Sequence, residues 1–219
     1  MKVLDLGSGT GSATNIWKMH GHEVVTVDYN IDFKPTICGD YSLDTTWNKI
    51  NERGPYEFIW FSPDCRYFSL AGSMPFNERY EPITQDAHDT VVSIVKALGW
   101  IKFLKPRLGW IMENPRALMR KMDWVKDLQR VTVTYCQYGD DRMKPTDLFG
   151  QIPIYFIPKK CNYNDKCHVS APRGSRTGSQ GLGNAKLRAM IPFDLTKEIY
   201  EAAIKSDGEF IPTLKKWYK

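Results

Sequence analysis

The chain reads as an α/β protein built on a mostly parallel, doubly wound sheet. Three observations predict this. Short apolar runs recur along the sequence, helical patterns separate several of them, and residues with chemical potential stand at the carboxyl ends of those runs. In such a sheet that edge is where ligands bind.

The elements follow in order. Residues 3–6 form a short apolar run that leads into the turn Asp5-Leu6-Gly7-Ser8-Gly9-Thr10-Gly11. Residues 12–20 then place Ala13, Ile16, Trp17 and His20 at helical spacing. Residues 23–27 predict a second strand ending at Asp28, 36–38 a third ending near Asp40, and 58–61 a fourth that runs straight into Cys65. The long apolar periodicity of residues 85–104 predicts a helix that stops before Pro106. Residues 108–112 predict a fifth strand delivering Glu113, and Pro115 suits the first turn of a helix reaching about residue 128, where its missing amide hydrogen costs little. Residues 131–135 alternate as a strand, and 152–156, with Pro153 inside, predict an edge strand. Residues 159–184 are too long and too rich in Gly, Ser, Arg and Asn for an ordinary connection. A final helix is expected at residues 193–204, and there is no internal repeat.

A chain of 219 residues with 42% hydrophobic content can bury one substantial core, so a single domain spanning residues 1–219 is expected. No apolar run approaches the roughly 20 residues needed to cross a bilayer, and no signal-peptide pattern opens the chain; a cytoplasmic protein without a membrane partner is expected. Five cysteines at irregular spacing argue against a disulfide framework. Residues 158–190 hold seven Lys and Arg against one acidic residue, more than the whole chain's net charge of +5. A basic patch on an otherwise near-neutral body suits a polyanionic partner.

The glycine turn permits close backbone approach of a ligand, and nicotinamide, flavin and methionine-derived cofactors all use such turns. Asp28 could accept from ribose hydroxyls and Asp40 could meet an adenine amino group. A cysteine at a strand end is more often a small buried hydrophobe than a nucleophile. Here, however, Ser62-Pro63-Asp64-Cys65-Arg66-Tyr67-Phe68-Ser69 is followed by Glu113-Asn114-Pro115 and then by Arg142-Met143-Lys144, all after a cofactor turn.

In that order the segments resemble the DNA (cytosine-5) methyltransferase family, and more closely its short bacteriophage-type members. Cys65, Phe68 and Ser69 match the catalytic loop, which normally reads Pro-Cys-Gln with Phe-Ser beyond; Asp64 and Arg66 replace the proline and the glutamine. Glu113 and Asn114 match the Glu-Asn pair, and Lys144 takes the second place of an Arg-x-Arg motif. The resemblance implies a Rossmann-like, S-adenosylmethionine-dependent methyltransferase fold acting as a monomer on DNA. It implies a cofactor held by Asp5, Gly7, Gly9, Gly11, Asp28, Asp40 and Pro63. Cys65 would add to cytosine C6, Glu113 would hold the ring at N3 and the exocyclic amine, and Arg142 or Lys144 would contact O2 or hold the loop. The target base must be flipped out or already single-stranded. Residues 71–75 could close over it, and Arg66, Ser69, Arg173 and Arg176 would meet nucleic acid.

Family members usually carry a sizeable target-recognition domain. Residues 158–190 are the only room for one here, as a reduced element. Two other readings stay open: an RNA or modified-pyrimidine substrate, and a catalytically silent nucleic-acid-binding protein. Cys161, Cys167 and His168 lack the usual Cys-x2-4-Cys spacing and need a fourth ligand, Cys136 or an acid from elsewhere, so no metal is expected.

Overall fold

A computed structural model describes residues 1–69, 75–162, 165–169 and 184–212. Seven strands form one sheet: β1 (Lys2–Leu6), β2 (Glu23–Asp28), β3 (Ile37–Cys38), β4 (Phe58–Phe61), β5 (Trp110–Pro115), β6 (Arg130–Thr134) and β7 (Pro145–Gly150). Their order across the sheet is β3-β2-β1-β4-β5-β7-β6. The first five pair in parallel, and β7 runs antiparallel between β5 and β6. The expected Rossmann-like, mostly parallel sheet is the one observed.

Alternation along the strands sends side chains to two cores. Leu4 and Leu6 of β1 and Ile59 and Phe61 of β4 pack on one face. There they meet α2 (Asp44–Arg53), through Trp47 and Ile50, and α3 (Gln85–Leu104), through Ile94, Leu98 and Ile101. Val3, Phe58, Trp60 and Ile111 face the opposite way and are covered by α1 (Asn15–Met19) and α5 (Phe193–Ser206). Trp17 of α1 stacks on Phe58 at 4.9 Å between ring centroids and meets Tyr200 of α5 edge-on at 4.8 Å. A short helix, α4 (Ala185–Ala189), precedes α5 and is capped by the Asn184 side chain.

Two expectations are corrected. Residues 115–128 are not one helix: β5 continues to Pro115, and two 3-10 turns follow at Met119–Lys121 and Asp123–Val125. Residues 152–156 are not a strand, since Ile152 and Phe156 are buried in the α5-side core and only Pro153 makes a bridge, to Phe210. The last strand of the sheet is instead β7, where the buried Asp147 carboxylate pairs with the Arg120 guanidinium at 2.8 and 2.5 Å and accepts from Thr132 at 2.7 Å. α2, which the sequence reading passes over, covers the sheet beside β3.

Among the described residues no helix is long and apolar enough to cross a membrane.

Candidate active site

The strand order reverses between β1 and β4, and the segments leaving their carboxyl ends part to form a crevice. The glycine turn follows β1 and the Cys65 segment follows β4, so neighbouring strands deliver both. Gly7 and Ser8 donate their backbone N–H to the Val27 carbonyl at 2.9 and 3.0 Å, and Ser62 donates to the Leu6 carbonyl at 2.8 Å. Gly7 has a φ of +71°, and a Cβ there would lie 2.3 Å from the Ser62 carbonyl oxygen. Only glycine lets these two loops leave the sheet side by side.

The crevice opens into a cleft of about 990 Å³. Gly7, Gly9, Asp28, Asp40, Pro63, Cys65, Arg66, Ser69, Glu113 and Lys144 all line it. The structure thus brings together most of the residues that the sequence nominates, from six separate segments. Asp28 braces the glycine turn, accepting from Gly9 N–H at 2.8 Å and from Asn30 N–H at 2.9 Å. Gly9 has a φ of +47°, and nothing lies within 4 Å of where its Cβ would be, so its backbone is open to a ligand in the cleft.

Cys65 begins a turn, its carbonyl accepting from the N–H groups of Phe68 and Ser69 at 3.1 and 3.0 Å. Phe68 anchors that turn by full burial in the core, and its carbonyl accepts from Leu118 N–H at 3.0 Å. Burial pushes the Cys65 thiol above its ordinary value; the Glu113 carboxylate adds to the shift and the Lys144 ammonium opposes it. The two residues that depart from the catalytic-loop pattern meet each other. Arg66 donates its backbone N–H to Asp64 at 2.8 Å and its guanidinium to the same carboxylate at 2.7 Å. The pair is largely exposed and contributes little to stability, yet it sets the shape of the turn beside the thiol.

Glu113 stands near the end of β5, 8% exposed, and accepts at 3.0 Å from the buried Tyr135 hydroxyl. Burial and the neighbouring carboxylate hold the Tyr135 phenol well above its ordinary range, so it remains a donor. The Lys144 ammonium lies 4.6 Å from the Tyr135 ring centroid and donates to the Arg188 carbonyl at 3.0 Å. Tyr135, the buried hydrogen-bond partner of Glu113, is a residue that sequence reasoning missed, because an aromatic at the end of an apolar strand carries no signal beyond core packing.

Three nominated residues stand elsewhere. Asp5 is fully buried behind the turn and accepts from Thr14 Oγ1 at 2.6 Å, while burial pushes its carboxyl up to about 7. Gly11 lines an adjoining cavity instead of the cleft. Arg142 is buried against Asp140, with its Nε 2.8 Å from Oδ1, and donates to the carbonyls of Leu187 and Arg188 at 3.0 and 3.2 Å. These contacts tie it to α4. Arg173, Arg176 and residues 71–74 lie outside the described residues.

No protein-family model matches the chain. It is similar to a probable DNA (cytosine-5)-methyltransferase of Frog virus 3 (isolate Goorha), at 30% identity over 223 residues that cover 92% of this chain and 99% of the viral protein. Among solved structures it is similar to the Dnmt2 methyltransferase of S. pombe, with a TM-score of 0.46 and 12% identity over 68% of this chain and 48% of that one. It is also similar to the Entamoeba histolytica methyltransferase EhMeth, with a TM-score of 0.49 and 12% identity over 74% of this chain and 57% of that one. The chain therefore spans about half the length of these solved structures and nearly all of the viral relative.

Proposed function

Because the chain belongs to the DNA (cytosine-5)-methyltransferase family, we propose that it transfers a methyl group from S-adenosylmethionine to C5 of a flipped cytosine in DNA, through a covalent adduct on Cys65. The observation that carries this reading is the convergence of Cys65, Glu113 and Lys144 on one cleft with the glycine turn.

The residues present fit the cofactor. Gly9 offers backbone that no protein atom crowds, Asp28 and Asp40 line the same cleft, and its volume suits a nucleoside-sized ligand beside a base. Gly7, Gly9, Asp28, Asp40 and Pro63 would hold it. When bound, its sulfonium supplies an electrophilic methyl group.

Cytosine C5 is too weak a nucleophile to act unaided. The Cys65 thiolate adds to C6, and the electron pair displaced through the ring makes C5 enamine-like. Glu113, oriented by Tyr135, meets N3 and the exocyclic amine and stabilises the charge that develops there. Lys144 offers a cation to O2 and favours the thiolate form of Cys65. Loss of the C5 proton and expulsion of the thiolate then restore the aromatic ring. Arg142 and Asp5 act through the framework, one holding the segment before α5 and the other supporting α1 from below. Residues 158–190 serve as a reduced recognition element within a single domain, and so short an element predicts a short or degenerate target sequence.

The test is incubation with cofactor and oligonucleotides containing 5-fluorocytosine, whose fluorine cannot leave as a proton does. DNA and RNA of matched sequence are used, single- and double-stranded. A denaturation-resistant adduct mapped to Cys65 on DNA is expected, absent from Cys65→Ala. An adduct that survives in Cys65→Ala would overturn the nucleophile, and an adduct formed only on RNA would overturn the substrate.

A further inference from the structure

Beyond the cleft, a second cluster of reactive side chains stands on the far side of the Arg142 turn. Sequence spacing left Cys161, Cys167 and His168 one ligand short; the fold supplies it. Cys136 is carried by the 3-10 turn Tyr135–Tyr138 that follows β6, and all four ligand atoms lie within 4.8 Å of one another.

The separations match those a tetrahedral ion imposes. With Zn–S near 2.3 Å and Zn–N near 2.0–2.1 Å, tetrahedral edges are about 3.8 Å between sulfurs and about 3.6 Å from sulfur to nitrogen. Cys136 Sγ and Cys167 Sγ are 3.7 Å apart, and His168 Nδ1 lies 3.8 Å from Cys161 Sγ and 3.7 Å from Cys167 Sγ. Cys136 Sγ and Cys161 Sγ are 3.1 Å apart, well beyond a disulfide bond of about 2.05 Å and short of the tetrahedral edge by an amount side-chain rotation supplies.

The surrounding chain also needs such a tie. Among the described residues of 159–169 only Cys161 is buried, so the segment has almost no hydrophobic reason to hold one shape. Hydrogen bonds nevertheless bring its two ends to either side of the turn that follows β6: Cys161 N–H donates to Thr134 Oγ1 at 2.8 Å, and Val169 N–H to the Asp141 carbonyl at 3.0 Å.

We propose that Cys136, Cys161, Cys167 and His168 form a structural zinc site that clamps the start of the basic segment to the turn carrying Arg142 and Lys144. Three sulfurs and one imidazole complete a four-coordinate shell, the closed arrangement of structural zinc. On binding, the three thiols release their protons to solvent, and the ion stabilises the folded form that presents the site. The inference stands on these four residues alone and does not depend on the reaction in the cleft.

The test uses the full chain, purified with reductant and without chelator, and measures zinc by elemental mass spectrometry together with the visible spectrum after cobalt exchange. One zinc per chain is expected, with the cobalt protein showing thiolate charge-transfer and tetrahedral ligand-field bands. Cys167→Ser, at an exposed position, is expected to lose most of the metal while keeping its far-ultraviolet circular dichroism; Cys38→Ser keeps the metal. Chelator should lower the unfolding temperature of the parent protein and leave that of Cys167→Ser unchanged. Purified parent protein without zinc, a Cys136–Cys161 disulfide under reductant, or full zinc content in a Cys167→Ser, His168→Ala double variant would each overturn the site.

Discussion

At the scale of single residues, reactivity here is set by what surrounds a side chain. Burial and the Glu113 carboxylate both raise the Cys65 thiol, and Lys144 opposes them. The thiolate fraction at neutral pH is therefore small, and alkylation of Cys65 by iodoacetamide, followed by mass spectrometry, should accelerate toward alkaline pH. Glu113→Gln should increase the neutral-pH rate by about two- to five-fold and Lys144→Met should reduce it, since each removes one side of the balance. An unchanged or slower rate in Glu113→Gln would contradict that account. Asp5 offers a second pH dependence. Its folded carboxyl, near 7, stands above the unfolded value, so its contribution to stability is fully present below about pH 4 and is lost as pH rises through about 7. Asp5→Asn should unfold on the order of 5 °C higher than the parent at about pH 8 and show a flatter pH profile, read by differential scanning calorimetry. Neither balance could be read from composition. Cys65 and Glu113 are nominated by their neighbours in sequence, whereas the Tyr135 hydroxyl bond depends on how distant segments fold together and the Asp64–Arg66 pairing on the local shape of one turn.

At the scale of elements, the glycine turn makes the sharpest claim. Gly7 and Gly11 share a positive φ, but a Cβ at Gly7 would strike the Ser62 carbonyl whereas one at Gly11 meets nothing within 4 Å. Gly7→Ala should therefore cost at least about 2 kcal/mol and abolish the thermal shift given by S-adenosylhomocysteine. Gly11→Ala should cost only about 1 kcal/mol, from its φ alone. Equal losses in urea denaturation would remove the argument for contact between the two loops. The same scale shows which elements sequence made legible. β1 to β4 and α3 stand where their apolar periodicity puts them. α2 went unread because it offers only Trp47 and Ile50 as large buried apolar side chains in a polar run. β7 went unread because Thr146 and Asp147, polar residues that pattern reading sends to the surface, are buried, the first donating its hydroxyl to the Lys144 carbonyl and the second paired with the Arg120 guanidinium. Residues 152–156 show the converse: Ile152 and Phe156 pack into the α5-side core without joining the ladder, while Ile154 and Tyr155 stay exposed.

For the whole molecule, the distribution of charge predicts how it meets a polyanion. Replacing Arg173 and Arg176 together with Ala should weaken DNA binding across sequences. It should also flatten the dependence of log affinity on log salt by about 1.8 if each contacts one phosphate, as fluorescence anisotropy over a salt series would read. An unchanged slope would remove these arginines from the interface. The sequence alone determined the alternating α/β plan, the thiol and carboxyl groups that would carry the chemistry, and the basic character of residues 158–190, because periodicity, motif order and charge are local properties of a chain. Only the tertiary structure decided which of these residues meet. Reversal of the strand order between β1 and β4 opens one cleft for Cys65, Glu113 and the glycine turn, while the fold-back of residues 159–169 brings Cys136 to a cluster that sequence spacing had left incomplete. Contacts between segments distant along the chain arise from packing, and packing is a property of the folded molecule.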